Sequence, residues 1–288
     1  MRVVQNIFLP NAPLIAARAI GAFAAEGLDV EDLFTRSSLD QRDALRAGAC
    51  DVAVTALDNL FAWNETDADR FRALAQIERT TSLPVYLAGA SSLVELAARP
   101  SVRVVVDSPV SGFGIVLLAI VERAGVPRAR CEIVSAGGVN ERLAAMIAAE
   151  GDVALLAPFV AAAAHEAGLV PAGSVEEAFP AYPGLVVAAD TGRIGEAVHA
   201  YLRGLDAGRH WLGAHPDDAL RALMDSGLPE IAARQQLALC GRGGMRVSRP
   251  GFTLLRRLRA AQGALPAIAC DYDDFVLGGF AGTDHQED

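Results

Sequence analysis

Strand-like and helix-like segments alternate along this chain, and the alternation constrains the fold more than any other feature of the sequence. Residues 3–8, 29–35 and 51–55 are strand-like runs, and helical stretches at 14–25 and 40–47 lie between them. A proline opens the first helical stretch and a glycine follows each of the two, as is typical of helix boundaries. This order predicts an α/β fold with largely parallel sheets.

A second unit with the same order of elements begins near residue 90. Its predicted strands are 102–106, 131–135 and 153–157, and its predicted helices are 111–124 and 140–149. After one more strand-like run the chain becomes almost wholly helical. The length of 288 residues exceeds the usual ~100–200 residues of one domain. We therefore expect two α/β lobes and a helical C-terminal return.

The charge of the chain excludes several classes of function. The net charge is −10, and an acidic surface repels phosphate backbones, so we expect no nucleic-acid partner. All 25 basic residues are arginines, which excludes a Schiff-base lysine and a Walker-A lysine. The longest apolar run without a charge, residues 153–164, is shorter than the ~20 residues of a membrane span. We expect a chain that does not span a membrane.

The cysteines and histidines give no metal-binding pattern. Cys50, Cys131, Cys240 and Cys270 are dispersed without a C-x-x-C pair, and the five histidines lack the spacing of a zinc motif. We predict no metal and no cofactor. The cysteines are interpreted as small buried hydrophobic residues, although their spacing leaves a disulfide open.

The beginning of the chain bears on its location. Residues 3–8 are already strand-like, without a basic region, an apolar core and a cleavage site before them. As written, the sequence predicts a cytoplasmic protein. A periplasmic protein is expected instead if an export signal has been removed.

Three segments carry a resemblance to a known family. They are a helix followed by Gly27-Leu28-Asp29-Val30, a serine loop and helix followed by Gly48-Ala49-Cys50-Asp51, and a later helix followed by Gly151-Asp152-Val153. In this order they resemble the ABC-importer solute-binding proteins of the sulfonate/nitrate/taurine type, in the thiamin-pyrimidine synthase-like superfamily. The resemblance covers about residues 3–205. The cysteine-rich iron motif of the thiamin-pyrimidine branch has no counterpart in this sequence.

The resemblance implies a type II periplasmic-binding-protein fold, with two α/β lobes and a ligand cleft between them. Lobe I would be residues 1–85 plus 190–288, lobe II residues 90–182, with crossovers near 83–89 and 182–190. The implied function is binding of a small anionic or zwitterionic organic solute for an ABC importer, with an ABC permease as partner. The alternative is a cytoplasmic enzyme or sensor on the same fold. We assign no catalytic residue.

Candidate ligand-binding residues lie in the loops that follow the strands, because ligands of open α/β sheets bind at the carboxyl ends of the strands. Serines in such loops can equally cap helices, and a glycine there can simply form a turn. Ser111 and Gly112 open an apolar helix whose free N–H groups are expected to attract an anion. The candidates are Asn11, Ser37, Ser38, Thr55, Asp58 and Asn59 in the first lobe, and Ser108, Ser111, Gly112, Phe113, Gly137 and Pro158 in the second.

Overall fold

A computed structural model describes residues 1–65, 70–81, 83–240, 244–265 and 271–278. Over these ranges the chain forms two five-stranded sheets flanked by helices, which confirms the predicted α/β class. The strands are β1 (Arg2–Ile7), β2 (Asp29–Phe34), β3 (Val52–Ala56), β4 (Phe71–Gln76), β5 (Pro84–Leu87), β6 (Val102–Val106), β7 (Cys131–Ser135), β8 (Val153–Leu155), β9 (Val170–Ser174) and β10 (Leu185–Asp190).

The helices follow the strands in the alternation expected from the sequence, and the C-terminal part of the chain is helical. They are α1 (Ala12–Ala19), α2 (Ala22–Ala25), α3 (Ser38–Ala47), α4 (Asn59–Trp63), α5 (Leu93–Ala97), α6 (Gly112–Arg123), α7 (Val139–Ile147), α8 (Ala161–Glu166), α9 (Val175–Ala178), α10 (Glu196–Ala214), α11 (Pro216–Asp225), α12 (Glu230–Cys240), α13 (Arg249–Ala261) and α14 (Tyr272–Phe275).

Each sheet combines parallel and antiparallel strands. The first has the order β2-β1-β3-β10-β4, in which β1 is parallel to β2 and β3, and β10 is antiparallel to β3 and β4. The second has the order β7-β6-β8-β5-β9, in which β6 is parallel to β7 and β8, and β5 is antiparallel to β8 and β9. The prediction of largely parallel sheets was wrong for β5 and β10, because each is the strand by which the chain enters a sheet from the other one.

The chain passes between the sheets twice, over residues 77–83 and 175–184. The predicted crossovers, 83–89 and 182–190, largely coincide with β5 and β10, which are full members of their sheets. The lobe boundaries stay a prediction.

Local backbone geometry corrects two of the predicted elements. The predicted helix at 14–25 is two helices, because Gly21 has a φ of 68° and the left-handed conformation ends α1. Strand β9 was missed, because its sequence, with Pro171 and Gly173, lacks the alternation of apolar and polar residues that marks a strand.

The two sheets share a hydrophobic core on one side. One cluster of buried residues contains Val104 of the second sheet and Val186 of the first, together with Phe252 of α13. Helix α13 also packs against α6. The shared core therefore joins the sheets along the edge formed by α6 and α13.

The packing of α10 on α1 depends on a close approach at Gly208. A Cβ atom there would lie 2.5 Å from the Pro13 carbonyl oxygen and 2.6 Å from the Ala17 nitrogen. We expect Gly208→Ala to lower the free energy of unfolding by about 1–3 kcal/mol, since two backbones would have to separate. Urea denaturation measures this, with Gly278→Ala as control because nothing lies within 4 Å of that position. Equal effects of the two substitutions would contradict the prediction.

Candidate functional site

A cavity of about 180 Å³ lies between the two sheets, where the loops that follow their strands meet. On the side of the first sheet, its wall comes from residues 8–11 after β1, from residues 54–56 and from Asn59. Its second-lobe wall includes residues after β6 and β8 and the start of α7, and α12 closes one side. A cavity of about 150 Å³ in another protein holds one benzene molecule. The volume therefore suits a compact organic solute.

The walls of the cavity are mainly apolar with a few polar side chains, which is the usual composition of a ligand pocket. Val54, Leu83, Phe113, Phe159 and Leu239 are among the apolar residues. The polar side chains are those of Asn11, Thr55, Asn59, Glu78, Thr81, Asp107, Ser111, Arg142, Gln235 and Gln236.

Asn11 presents a free donor to the cavity. It is the N-cap of α1, where its Oδ1 accepts a hydrogen bond of 3.1 Å from the Leu14 N–H. Its buried Nδ2 has no hydrogen-bond partner among the described residues. A buried donor without a partner costs about 1–3 kcal/mol, so a ligand acceptor at this position would relieve that cost.

Asn59 connects the end of β3, in the first sheet, with the start of α6 beside the cavity. Its Nδ2 donates to Thr55 Oγ1 at 2.8 Å, and its Oδ1 accepts from the Gly112 N–H at 2.8 Å. The Gly112 N–H, which was expected to be free for an anion, is therefore occupied. In the same turn the Gly114 N–H donates to Ser111 Oγ at 3.0 Å. The start of α6 is capped by protein groups.

Asp107 follows β6 and lines the same cavity. It accepts hydrogen bonds from the hydroxyls of Ser111 and Ser38, the latter at 3.5 Å. The bond from Ser38 joins the start of α3, which follows a strand of the first sheet, to the loop after β6 of the second. Ser38 itself is not part of the cavity wall, so its contribution here is to hold the Asp107 carboxylate.

Arg142 is a buried cation that lines the cavity, with an exposed fraction of 5%. Its Nε donates to the Leu155 carbonyl and its Nη1 to the Gly137 carbonyl, both at 3.0 Å. Within the part of the chain that the structure describes, no carboxylate forms an ion pair with it. Burial lowers the pKa of its guanidinium, and attraction to Asp107 opposes that shift.

Sequence reasoning missed Arg142. In the segment 139–147 it follows Glu141, and two adjacent charges at the start of an amphipathic helix are typical of a solvated surface. The feature that could have identified Arg142 is its position four residues after Gly138, which belongs to a loop that follows a strand.

Glu78 is a second buried ionisable group of the cavity, with an exposed fraction of 8%. It lies in the first passage between the sheets, directly after β4. Burial raises the pKa of its carboxyl to about 7, and a hydrogen bond with the Leu185 backbone partly opposes the rise. It too was missed: the sequence of residues 71–79 is strand-like throughout, so Glu78 was not among the loop residues from which the candidates were taken.

Asp58 lies outside the cavity wall and is paired with an arginine from far along the chain. Arg259 Nε donates to Asp58 Oδ1 at 2.9 Å, and the two side chains are 2% and 1% exposed. Arg259 Nη2 also donates to the Val110 carbonyl of the second lobe at 2.8 Å. Burial raises the pKa of Asp58, and the adjacent guanidinium opposes the rise. This pair positions the start of α6 and makes no contact with the cavity.

Six of the twelve candidate residues line the cavity, and the other six lie around it. Ser37 caps α3, accepting from the N–H groups of Leu39 and Asp40. Gly137, with a φ of 102°, supplies a carbonyl to Arg142. The cavity wall includes Asn11, Thr55, Asn59, Ser111, Phe113 and Pro158, whereas Ser37, Ser38, Asp58, Ser108, Gly112 and Gly137 are outside it.

The described residues contain neither a metal-binding cluster nor a membrane-spanning helix. Cys50, Cys131 and Cys240 are buried and free, while Cys270 lies outside the described residues. Among the described residues no group of three His, Cys, Asp or Glu side chains is placed to hold a metal ion. No described helix has both the length and the apolar character needed to cross a bilayer.

Solved structures with similar folds cover almost the whole chain. One is the alkanesulfonate-binding protein SsuA of Xanthomonas axonopodis pv. citri, bound to MOPS, with a TM-score of 0.75 at 14% sequence identity. The match covers 95% of this chain and 97% of the SsuA chain. Another is the periplasmic nitrate-binding protein NrtA of Synechocystis, with a TM-score of 0.72 at 14% sequence identity. The match covers 95% of this chain and 83% of the NrtA chain.

A Candida albicans protein with the generic periplasmic binding protein fold has a TM-score of 0.74 at 14% identity, covering 100% of this chain and 98% of its own. These similarities confirm the periplasmic-binding-protein fold expected from the sequence. A sequence search of curated proteins found no match. The sequence profile described as NMT1/THI5 like matches residues 10–219, and the chain therefore belongs to the NMT1/THI5-like family.

Proposed function

We propose that this protein binds a small organic solute carrying an anionic group between its two lobes, as the substrate-binding component of an ABC importer. The observation that carries the proposal is the buried Arg142 guanidinium, which lines the cavity without an ion-pair partner among the described residues. A buried charge without an ion-pair partner is costly, so a site that keeps one is suited to receive the opposite charge from a ligand.

The similar proteins support an anionic ligand. SsuA is named for alkanesulfonates and NrtA for nitrate, and both ligands are anions. In this chain the candidate anchors are Arg142, whose planar guanidinium suits carboxylates and sulfonates, and the free Nδ2 of Asn11. The proposal extends to an ABC permease as partner and to a periplasmic location.

Contacts between the proposed lobes support a closed arrangement around the cavity. Besides the bond from Gly112 to Asn59, Arg36 Nε lies 3.4 Å from Glu141 Oε1, where the loop after β2 faces α7. A ligand can favour this arrangement only by binding it better than the open one. The residues of the closed cavity are thus the ones to change in a binding test.

Arg142→Gln tests the anion anchor. We expect it to weaken binding of a small sulfonate or carboxylate by about 10- to 100-fold, since a hydrogen bond to a charged group contributes about 1.5–3 kcal/mol. Thermal shift against a panel of small organic anions identifies a ligand, and titration calorimetry then measures the dissociation constants of wild type and variant.

Arg221→Gln is the matched control, because it removes the same charge from an arginine of α11 that lies outside the cavity wall and is 69% exposed. It should change affinity little. Equal losses in both variants would mean that general electrostatic attraction, and not an anchor at Arg142, holds the anion. Absence of anion binding by wild type would overturn the proposed function.

A second candidate, an enzyme or sensor on the same fold, is favoured by one observation. The Glu78 carboxyl has a pKa of about 7, and acid–base catalysis works best with a pKa near the operating pH. Conversion of an identified ligand by wild type, detected by mass spectrometry and abolished in Glu78→Gln, would favour the enzyme. Recovery of the unchanged ligand would favour the binding protein.

A further inference from the structure

Asp107 brings a carboxylate to the wall of the same cavity that contains the Arg142 guanidinium. Asp107 follows β6 and Arg142 belongs to α7, so both reach the cavity from the side of the second sheet. Burial lowers the pKa of Arg142, and attraction first to Asp107 and then to Glu141 opposes that shift. A ligand group that pairs with Arg142 therefore also lies within electrostatic reach of the Asp107 carboxylate.

Two hydroxyl groups hold the Asp107 carboxylate in place. Ser111 Oγ, at the start of α6, donates to its Oδ1, and Ser38 Oγ, in the first turn of α3, donates to its Oδ2 at 3.5 Å. The Ser111 hydroxyl is itself fixed, because it accepts from the Gly114 N–H at 3.0 Å. Rotation of the carboxylate away from a bound ligand would break both of these bonds.

Glu141, the other carboxylate that acts on Arg142, lies in a different environment. It is outside the cavity wall, its side chain is 36% exposed, and its Oε1 lies 3.4 Å from Arg36 Nε. Water and the adjacent guanidinium therefore screen its charge. Of the two carboxylates that act on Arg142, Asp107 is the one that a ligand meets inside the cavity.

We propose that Asp107 is a specificity-determining residue, which makes the cavity prefer anions with one negative charge to anions of the same shape with two. This inference rests on the proposed function. One negative charge on the ligand matches the single positive charge of Arg142. A second negative charge would face the Asp107 carboxylate, and like charges held close together in a partly buried site repel each other strongly.

Methyl sulfate and methyl phosphate test this preference, because the two esters have the same tetrahedral shape. At pH 8 methyl sulfate carries one negative charge and methyl phosphate two, since the second pKa of a phosphate ester is about 6. Titration calorimetry at millimolar concentrations, with competition for the weaker probe, gives the ratio of the two dissociation constants. Wild type should bind methyl sulfate at least about 10 times more tightly than methyl phosphate, the effect of one additional charge–charge repulsion.

Asp107→Asn removes the charge and keeps a side chain of the same shape. The preference for methyl sulfate should fall about 10-fold. A change in folding or in closure of the cavity alters the affinity for both probes alike, so it cancels in the ratio. Asp225→Asn, at an exposed position of α11 outside the cavity wall, is the matched control and should keep the wild-type ratio. Ser38→Ala removes the hydrogen bond from α3 but leaves the carboxylate, and should keep the ratio as well.

The outcomes separate this inference from the proposed function. Arg142-dependent binding of both esters by wild type with equal affinity, or with a preference for methyl phosphate, would overturn the inference and leave the proposed function standing. A ratio that Asp107→Asn preserves, or that Ser38→Ala lowers as far as Asp107→Asn does, would also overturn it. Failure of these esters and of every other small anion to bind wild type would overturn both.

Discussion

Replacing Arg259 with methionine is expected to lower the free energy of unfolding by about 3–5 kcal/mol, the largest effect of any substitution proposed for this protein. The variant leaves the Asp58 carboxylate, 1% exposed, without its buried partner. It also removes the donor to the Val110 carbonyl, which ties α13 to the loop before α6. Loss of one partner of a buried pair leaves an uncompensated charge, which costs more than loss of both.

Urea denaturation at neutral pH measures the effect of Arg259→Met. Arg257→Met, on the exposed face of the same helix, makes the same chemical change outside the pair and should cost less than about 0.5 kcal/mol. The double variant Asp58→Asn/Arg259→Met should recover a large part of the loss, because no buried charge remains. A double variant as unstable as Arg259→Met would show that packing, and not the uncompensated charge, sets the cost.

Glu78→Gln is expected to become more stable relative to wild type as the pH rises. The unfolding free energy of the variant minus that of wild type should be about 3 kcal/mol larger at pH 8 than at pH 4. The pKa of the folded carboxyl, about 7, lies above its ordinary value of 4.5. Below about pH 4.5 the carboxyl is neutral in both the folded and unfolded chain, so its burial carries no cost of charge. As the pH rises from about 4.5 to about 7, the carboxyl is ionised in the unfolded chain but still protonated in the folded one, so wild type loses stability that the glutamine variant keeps.

Unfolding free energies of wild type and Glu78→Gln across pH 4 to 8 test this dependence. Glu166→Gln, an exposed glutamate, is the control and should give a difference that is nearly independent of pH. A flat difference for Glu78→Gln as well would show that the folded carboxyl titrates normally, and that the cavity has water enough to solvate it.

Much of the fold could be predicted because its signals are local. The strand–helix order and the glycines after helices are read from residues that are close together in the sequence. The acidic, lysine-free composition is a property of the whole sequence and needs no structure. The loops after strands could also be predicted as the place of the site, and Asn11, Thr55, Asn59, Ser111, Phe113 and Pro158 do line the cavity. Whether any of them contacts a ligand stays a prediction.

The roles of individual charges could not be predicted in the same way. Asp58 was selected for its place in a loop that follows a strand, and its partner Arg259 lies 201 residues further along the chain. The Gly112 N–H is at a helix start as expected, yet the side chain of Asn59 from the other lobe occupies it. Hydrogen-bond partners brought from a distance decide whether such a group is free for a ligand.

The sequence by itself therefore determined the α/β class, the two successive units, the helical return and the family. Only the tertiary structure decided that β5 and β10 run antiparallel and that Asp58 is paired with Arg259 outside the cavity. It alone also decided that Arg142 and Glu78 line the cavity without an ion-pair partner among the described residues. The physical reason is that secondary structure follows from local periodicity, whereas the charge state and availability of a side chain depend on burial and on neighbours distant in sequence.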